Sequence, residues 1–188
     1  MGELVLSIVV FLALHVLPST PLRQTLIDAI GRRAFMWSFS ALSLVLFAWV
    51  WLAYRGAPVE SAFWITGDAV RWASAVVLLA ATVLLAAALL AKERVLLTGE
   101  TALVGDRPVE GVLRITRHPM LWAIGLWGVV HMINNADAPG WVFFGTITAL
   151  ALGGTWLIDR RRRRLLGDRW DAIRSETSNL PFLAILQG

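Results

Sequence analysis

AVRWASAVVLLAATVLLAAALLA, the sequence of residues Ala69–Ala91, contains a single charged side chain, that of Arg71. A helix needs about 20 mostly apolar residues to cross a bilayer core about 30 Å thick. The whole chain shares this character, since its 188 residues are 57% hydrophobic and its mean hydropathy is +0.68. A soluble surface, in which about a quarter of the residues are charged, is missing. The sequence therefore predicts an integral membrane protein.

Four further apolar segments have the composition of membrane spans: Leu4–Leu17, Ala34–Tyr54, Met120–Ile133 and Gly140–Ile158. The first and third of these are short, so each must borrow flanking residues or lie in a locally thinned bilayer. We predict an all-α membrane bundle of about five transmembrane helices, with four as the alternative. No internal repeat divides the chain, and we expect a single domain over residues 1–188.

The basic residues predict the orientation, because Lys and Arg are retained on the cytoplasmic side of membrane proteins. Fifteen of the 17 lie in the first loop, the third loop and the tail, whereas only Arg55 and Arg71 flank the second loop. The basic segments thus fall at alternate ends of the spans. This agreement predicts five helices, with the N-terminus outside and the C-terminus in the cytoplasm.

Charge and cysteine content exclude several classes of function. The basic pI of 10.9 is explained by the topology and by attraction to anionic lipid, and no DNA- or RNA-binding motif accompanies it. The chain has no cysteine, which excludes disulfides, iron–sulfur clusters, cysteine zinc sites and thiol catalysis. Metal chemistry must therefore rest on histidine, carboxylate or methionine.

The three histidines, His15, His118 and His131, all lie in or at the edge of apolar spans. A buried neutral imidazole needs partners for its N–H and its lone pair, so each must find a hydrogen bond, a water cavity or a metal. On one straight helix His118 and His131 are about 20 Å apart and point to faces roughly 140° apart, so they cannot bind the same iron. A bis-histidine site needs His15 with one of them, and geometry permits either pairing.

The surroundings of His118 favour the binding of an anion. Pro119 suits the first turn of a helix, which puts His118 at the positive end of that helix, beside Arg114 and Arg117. This environment suits a haem propionate, a phosphate or a cofactor carboxylate, and it disfavours a protonated His118.

The surroundings of His131 favour a metal ligand. His131 lies one turn beyond Trp127 and Gly128, and the glycine leaves room for a flat ligand to approach the helix. Asn134 or Asn135 is placed to orient the second ring nitrogen. His131 is therefore a good candidate for an axial ligand.

Each of these residues also has a purely structural interpretation. An intramembrane histidine such as His15 often does no more than hydrogen-bond a neighbouring helix. Arg117-His118-Pro119 is also a motif that starts helices. In the tail, Asp159 and Asp168 balance neighbouring arginines, and Trp170 is expected at the membrane interface.

The order and spacing of several rare residues make the chain resemble the NnrU family over nearly its whole length. The family commonly has glycine where this chain has Ala136. The matching residues are, in chain order, His15, Pro18, Ser19, Leu22, Arg23, Gly31-Arg32-Arg33, Thr116 to Trp122, Leu126, Trp127, His131, Asn135-Ala136-Asp137 and Thr177 to Phe182.

The resemblance implies a cofactor and a location. NnrU proteins are small bacterial inner-membrane proteins named from denitrification gene clusters, and they are similar to the plant and cyanobacterial 15-cis-zeta-carotene isomerases. Those isomerases are b-type haem proteins whose axial ligation changes with redox state and exposes the iron to a carotenoid double bond. By position, their axial histidines correspond to His15 and His131. The candidate cofactor-binding residues are therefore His15, His131, His118, Arg117, Arg114 and Trp127.

Three functions follow from these resemblances. The first is a multi-pass haem b protein of the bacterial inner membrane. Such a protein would isomerise a hydrophobic polyene or act in redox chemistry linked to nitric oxide. The second is S-adenosylmethionine-dependent methyl transfer, because Arg117-His118-Pro119 and the tail Leu166–Trp170 also resemble isoprenylcysteine and phospholipid methyltransferases. Trp170 and Ile173 stand where those enzymes usually have tyrosines and glutamate. The third is a non-catalytic assembly or haem-handling subunit with a membrane protein partner.

Overall fold

The computed structural model describes residues 1–59, 61–90 and 111–187, and helices are the only regular elements within these ranges. A single 3₁₀ turn at Leu17–Ser19 extends the first helix. The helices are α1 (Gly2–Val16), α2 (Leu22–Ile30), α3 (Arg32–Arg55), α4 (Asp68–Leu90), α5 (Val112–Ile115), α6 (Pro119–Asn134), α7 (Ala138–Leu166), α8 (Asp168–Glu176) and α9 (Leu183–Gln187). Contacts group the chain into two units, Met1–Ile65 with Asn135–Thr146, and Thr66–Asn134 with Ile147–Gly188.

The structure confirms the prediction of an all-α bundle with membrane-spanning helices. Four are long and apolar enough to cross a membrane, namely Gly2–Ser19, Arg32–Arg55, Asp68–Leu90 and Ala138–Leu166. The remaining predicted span is α6, whose 16 residues reach about 24 Å, less than the bilayer core of about 30 Å. Ala91, the predicted polar loop at 92–108 and residues 109–110 lie outside the described residues. The orientation and the single domain stay predictions.

In the first unit, α1 packs against α3 and the beginning of α7 completes an aromatic core. Gly31, with a φ of +82°, turns the chain between α2 and α3, a conformation that glycine adopts without strain. The ring of Tyr54 stacks on that of Phe143 with centroids 4.6 Å apart and planes 10° apart. Phe143 is fully buried, so this contact fixes the end of α3 against α7.

In the second unit, α4 packs along α6 and the later part of α7 approaches α6 from another side. The Asn134 amide donates to Ser74 Oγ at 2.8 Å and ties the end of α6 to α4. At Gly125 a Cβ atom would lie 2.5 Å from Leu152 Cδ2, so the glycine permits the close approach of α7. The outward face of α4 is apolar, with Val76 and Leu79 each at least 66% exposed, and in the first unit Leu44 on α3 is 69% exposed, as expected for surfaces that contact lipid.

Two glycines of α7 give a matched test of this packing. In Gly140→Ala the new Cβ would lie 2.7 Å from the Asn135 carbonyl oxygen, whereas in Gly153→Ala it meets nothing within 4 Å. We expect Gly140→Ala to destabilise the protein by about 1–3 kcal/mol and Gly153→Ala to leave it unchanged or slightly more stable. Tryptophan fluorescence during thermal unfolding in detergent measures both. Equal shifts in the two variants would contradict the packing described.

Candidate functional site

The residues before α6 form a buried polar turn in the second unit. Thr116 is extended, with φ −159° and ψ 147°, and its Oγ1 donates to the Asn179 carbonyl at 2.6 Å. The same oxygen accepts the His118 amide N–H at 3.2 Å. Pro119 is the first residue of α6, where its missing N–H costs nothing, and the His118 carbonyl accepts the first helical bond from Trp122. The turn thereby fixes the His118 side chain at the helix start.

The carboxylate of Asp159, on α7, is the acceptor at the centre of this site. Its Oδ1 accepts from His118 Nε2 at 2.6 Å, and its Oδ2 accepts from Arg117 Nε at 2.9 Å and from Arg117 Nη2 at 2.7 Å. Asn179 Nδ2 adds a longer bond to Oδ2, at 3.4 Å. His118 is 5% exposed and Arg117 8%, so the ion pair is shielded from water. We call these four residues the Asp159 cluster.

Trp170 closes the site on one side. It is 1% exposed, and the Arg117 guanidinium lies 5.6 Å from the centroid of its ring. The sequence-based placement of Trp170 at the membrane interface was therefore wrong. Trp170 is buried because Gly167, with a φ of +52°, lets α8 turn back at the end of α7. Asp159, which the sequence assigned to its neighbouring arginines, pairs with Arg117, 42 positions away.

The C-terminal segment at 177–182 covers the site through backbone bonds. The Arg117 amide donates to the Ser178 carbonyl at 2.9 Å, and the Phe182 amide donates to the Ile115 carbonyl at 2.7 Å. Arg117 Nη1 also donates to a carbonyl in this segment, that of Thr177, at 3.1 Å. The segment thus supplies acceptors that the buried arginine and the turn need.

His118 is a neutral hydrogen-bond donor in this arrangement. A carboxylate only accepts, so the proton of the shared bond is on Nε2 in the neutral ring. Burial lowers the pKa of His118, and the hydrogen bond to Asp159 opposes this shift only in part. The expectation that a protonated His118 is disfavoured agrees with this direction, although burial rather than the arginines is the main cause.

His15 lies in the first unit with a different set of partners. Its Nδ1 is 2.8 Å from the Phe11 carbonyl oxygen, which can only accept, so Nδ1 carries the proton. In the neutral ring the lone pair is then on Nε2, which accepts from Ser43 Oγ at 3.3 Å. The rings of Phe11 and Phe39 lie 4.2 and 5.6 Å from the imidazole. The lone pair of His15 therefore lies on Nε2, among aromatic side chains and beside the Ser43 hydroxyl.

His131, in the second unit, repeats this local geometry. Its Nδ1 is 2.8 Å from the Trp127 carbonyl oxygen, four residues earlier, and the Trp127 ring lies 4.4 Å from the imidazole. Histidines that bind metals commonly donate their second ring N–H to a backbone carbonyl, which fixes the tautomer and the ring. His15 and His131 thus both have the tautomer that a metal bound at Nε2 requires. The donor chemistry of the two residues fits an axially ligated haem.

The structure places the predicted site residues at different locations. Arg117 and His118 belong to the Asp159 cluster, Trp127 packs on His131, and Arg114 is exposed on α5. The anion that the sequence predicted beside His118 is supplied within the chain by Asp159. Between residues 1 and 187, leaving out 60 and 91–110, no group of three or more His, Asp or Glu side chains is placed to hold a metal ion.

Sequence reasoning missed Asp159 and Ser43 as partners of the histidines. The signal for Asp159 was its position, since it is the first charged residue after the apolar part of α7. Ser43 gave no signal, because a serine within an apolar span is common. The methyltransferase interpretation stays a prediction.

Fold and site together define a helical membrane protein with histidines in its apolar helices and a buried Arg–His–Asp cluster at the start of α6. A family model described as NnrU protein matches residues 3–188, and the chain belongs to the NnrU family. The resemblance inferred from the sequence is thus confirmed over nearly the whole chain.

Curated relatives match a smaller part of the sequence. The chain is similar to 15-cis-zeta-carotene isomerase, chloroplastic, of Arabidopsis thaliana, with 38% identity over 80 residues, which cover 42% of this chain and 21% of that protein. It is also similar to the Zea mays protein of the same name, with 29% identity over 85 residues and the same two coverages. The match therefore spans only 21% of the length of each relative. No solved structure matches the chain.

Removing the charge of Asp159 tests the cluster. In Asp159→Asn the buried Arg117 loses its counter-charge, and we expect a loss of about 3–5 kcal/mol of stability. Asp171→Asn is the matched control, because Asp171 has a 59% exposed side chain and a 3.8 Å ion pair with Arg174. That change should cost less than about 1 kcal/mol. Thermal unfolding in detergent compares the two, and similar losses would argue against a buried cluster.

The lowered pKa of His118 predicts a pH dependence of stability. The unfolded chain, in which His118 has its ordinary pKa of 6.5, takes up the proton at a higher pH than the folded protein does. The stability that the neutral His118 contributes is therefore complete above pH 6.5 and is lost as the pH falls. His118→Gln keeps a donor for Asp159 but does not titrate. We expect the wild type to be the more stable at neutral pH and the difference in unfolding midpoint to shrink on acidification. A difference independent of pH would refute the assignment.

Proposed function

We propose that this chain is a membrane haem b protein that isomerises a cis double bond of a polyene, with His15 and His131 as the axial ligands. The observation that carries the proposal is that the two histidines make the same kind of hydrogen bond. Each donates Nδ1–H to the carbonyl four residues earlier, at 2.8 Å, and keeps its lone pair on Nε2. Membership in the NnrU family and the partial similarity to 15-cis-zeta-carotene isomerases support the same conclusion.

His118 differs from these two histidines in a way that supports the division of roles. Its Nε2–H is donated to Asp159 at 2.6 Å, so this nitrogen is not available to a metal while the bond persists. We therefore assign His118 and Arg117 to the support of α6, the helix that carries His131. Arg114, exposed on α5, is not given a role in ligation.

The side chains around the proposed ligands suit a flat, apolar cofactor and an apolar substrate. Phe11 and Phe39 lie beside His15, and Trp127 lies beside His131. Aromatic faces bind conjugated systems by offset or edge contacts without demanding hydrogen bonds. Bound haem would supply an iron centre able to exchange electron density with a double bond. The cis–trans change itself transfers no atom, so these residues need only hold, orient and exclude water.

Absorption spectra test the ligation. We expect the purified chain loaded with haem b to show a low-spin Soret band and sharp bands after reduction with dithionite. His15→Gly and His131→Gly should each become high-spin and regain the low-spin spectrum when imidazole is added. His118→Gln is the matched control and should keep the wild-type spectrum. A wild type that stays colourless after reconstitution, or glycine variants with unchanged spectra, would overturn the proposal.

A separate assay tests the reaction. Haem-loaded protein in liposomes is given 15-cis-zeta-carotene, and the isomers are separated by chromatography under oxidised and reduced conditions. We expect conversion in one redox state by the wild type and none by His15→Gly or His131→Gly. Low-spin haem without conversion in either state would refute the isomerase activity but keep the haem assignment, leaving a haem-handling or nitric-oxide-linked role.

A further inference from the structure

The helix α7 is longer than a bilayer core. Its 29 residues, Ala138–Leu166, span about 44 Å, against a hydrocarbon thickness of about 30 Å. The first 21 residues, up to 158, carry no charge and cover about 32 Å. The last turns of α7, with the arginines 160–164, therefore fall in the headgroup layer.

One face of this helix end is exposed and changes from apolar to basic along its length. Its residues are spaced three or four apart, as neighbours on one helix face are. Trp156 is 59% exposed and Leu157 47%. The members of this outer stripe are Gly153, Trp156, Leu157, Arg160, Arg163 and Arg164, all exposed.

The positive charge of the outer stripe is not neutralised within the described part of the protein. None of the ion pairs between described residues includes Arg160, Arg163 or Arg164. Asp159, the carboxylate next to Arg160 in the sequence, is committed to Arg117 and His118. Three guanidinium groups therefore face outward at the depth where lipid phosphates lie.

Two features of the outer stripe suit the binding of a lipid, namely a cation–π contact and an open space at a glycine. The Arg160 guanidinium lies 5.4 Å from the centroid of the Trp156 ring, a cation–π contact that orients the arginine one turn beyond the tryptophan. Below them, a Cβ at Gly153 would meet nothing within 4 Å, whereas a Cβ at Gly154 would lie 3.8 Å from Leu121 Cδ1. Gly153 thus leaves an open notch on the outer face, beside the apolar ring of Trp156.

We propose that the outer stripe of α7 is a binding site for one negatively charged phospholipid. Arg160, Arg163 and Arg164 hold the phosphate and the anionic headgroup, because guanidinium groups bind phosphate oxygens with paired hydrogen bonds. An acyl chain lies along Trp156 and Leu157, in the notch at Gly153. The site is independent of haem and of isomerisation.

Native mass spectrometry of the full chain, released from nanodiscs of phosphatidylcholine mixed with phosphatidylglycerol, tests this site. We expect retained phosphatidylglycerol in the wild type and about a hundredfold weaker retention in Arg160→Gln/Arg163→Gln/Arg164→Gln. The control Arg55→Gln/Arg71→Gln/Arg169→Gln removes the same charge from exposed arginines elsewhere and should retain the lipid as the wild type does.

Further variants separate the contributions of headgroup and acyl chain. Gly153→Leu fills the notch, and we expect it to weaken retention while all arginines remain. Inorganic phosphate added in excess should not displace the lipid, because it lacks the acyl chain. Equal losses in the two triple variants, retention of phosphatidylcholine as strong as that of phosphatidylglycerol, or displacement by inorganic phosphate would each overturn the proposal.

Discussion

The Asp159 carboxylate accepts hydrogen bonds from the buried Arg117 and His118, and this half-buried acceptor organises the second unit. A guanidinium removed from water costs several kcal/mol unless a counter-charge and further acceptors replace its hydration. Asp159 supplies the charge, and the C-terminal segment at 177–182 supplies backbone oxygens. Three parts of the chain that are distant in sequence, namely α7, the turn before α6 and the C-terminal segment, therefore meet around one arginine.

The position of a single proton separates the three histidines into two kinds. At His118 the carboxylate holds the proton on Nε2, which directs that nitrogen to Asp159. At His15 and His131 a helix carbonyl holds the proton on Nδ1, which leaves the lone pair on Nε2. The neighbouring aromatic rings favour flat ligands at both places. This difference, rather than depth in the apolar helices, underlies the proposal that His15 and His131 are the haem ligands.

The helix α7 serves two environments with its two faces. Its inner face carries Asp159 to the Arg117 pair and packs Gly154 against α6. Its outer face carries the stripe that begins at Gly153 and ends at Arg164. Adjacent residues on a helix point about 100° apart. Neighbours such as Gly153 and Gly154, or Asp159 and Arg160, therefore lie on different faces of α7 and in different environments.

The sequence by itself determined the membrane class, the positions of the long helices and the family. These follow from properties that are local along the chain, since the length of an apolar run must match the hydrocarbon thickness. The sequence also singled out His15, His118 and His131, because imidazoles are rare in apolar segments. Their partners were decided only by the tertiary structure. Asp159 reaches Arg117 across 42 positions, and Trp170 is buried because α8 turns back at Gly167. Such pairings depend on which helix faces meet, and no local pattern in the sequence encodes that.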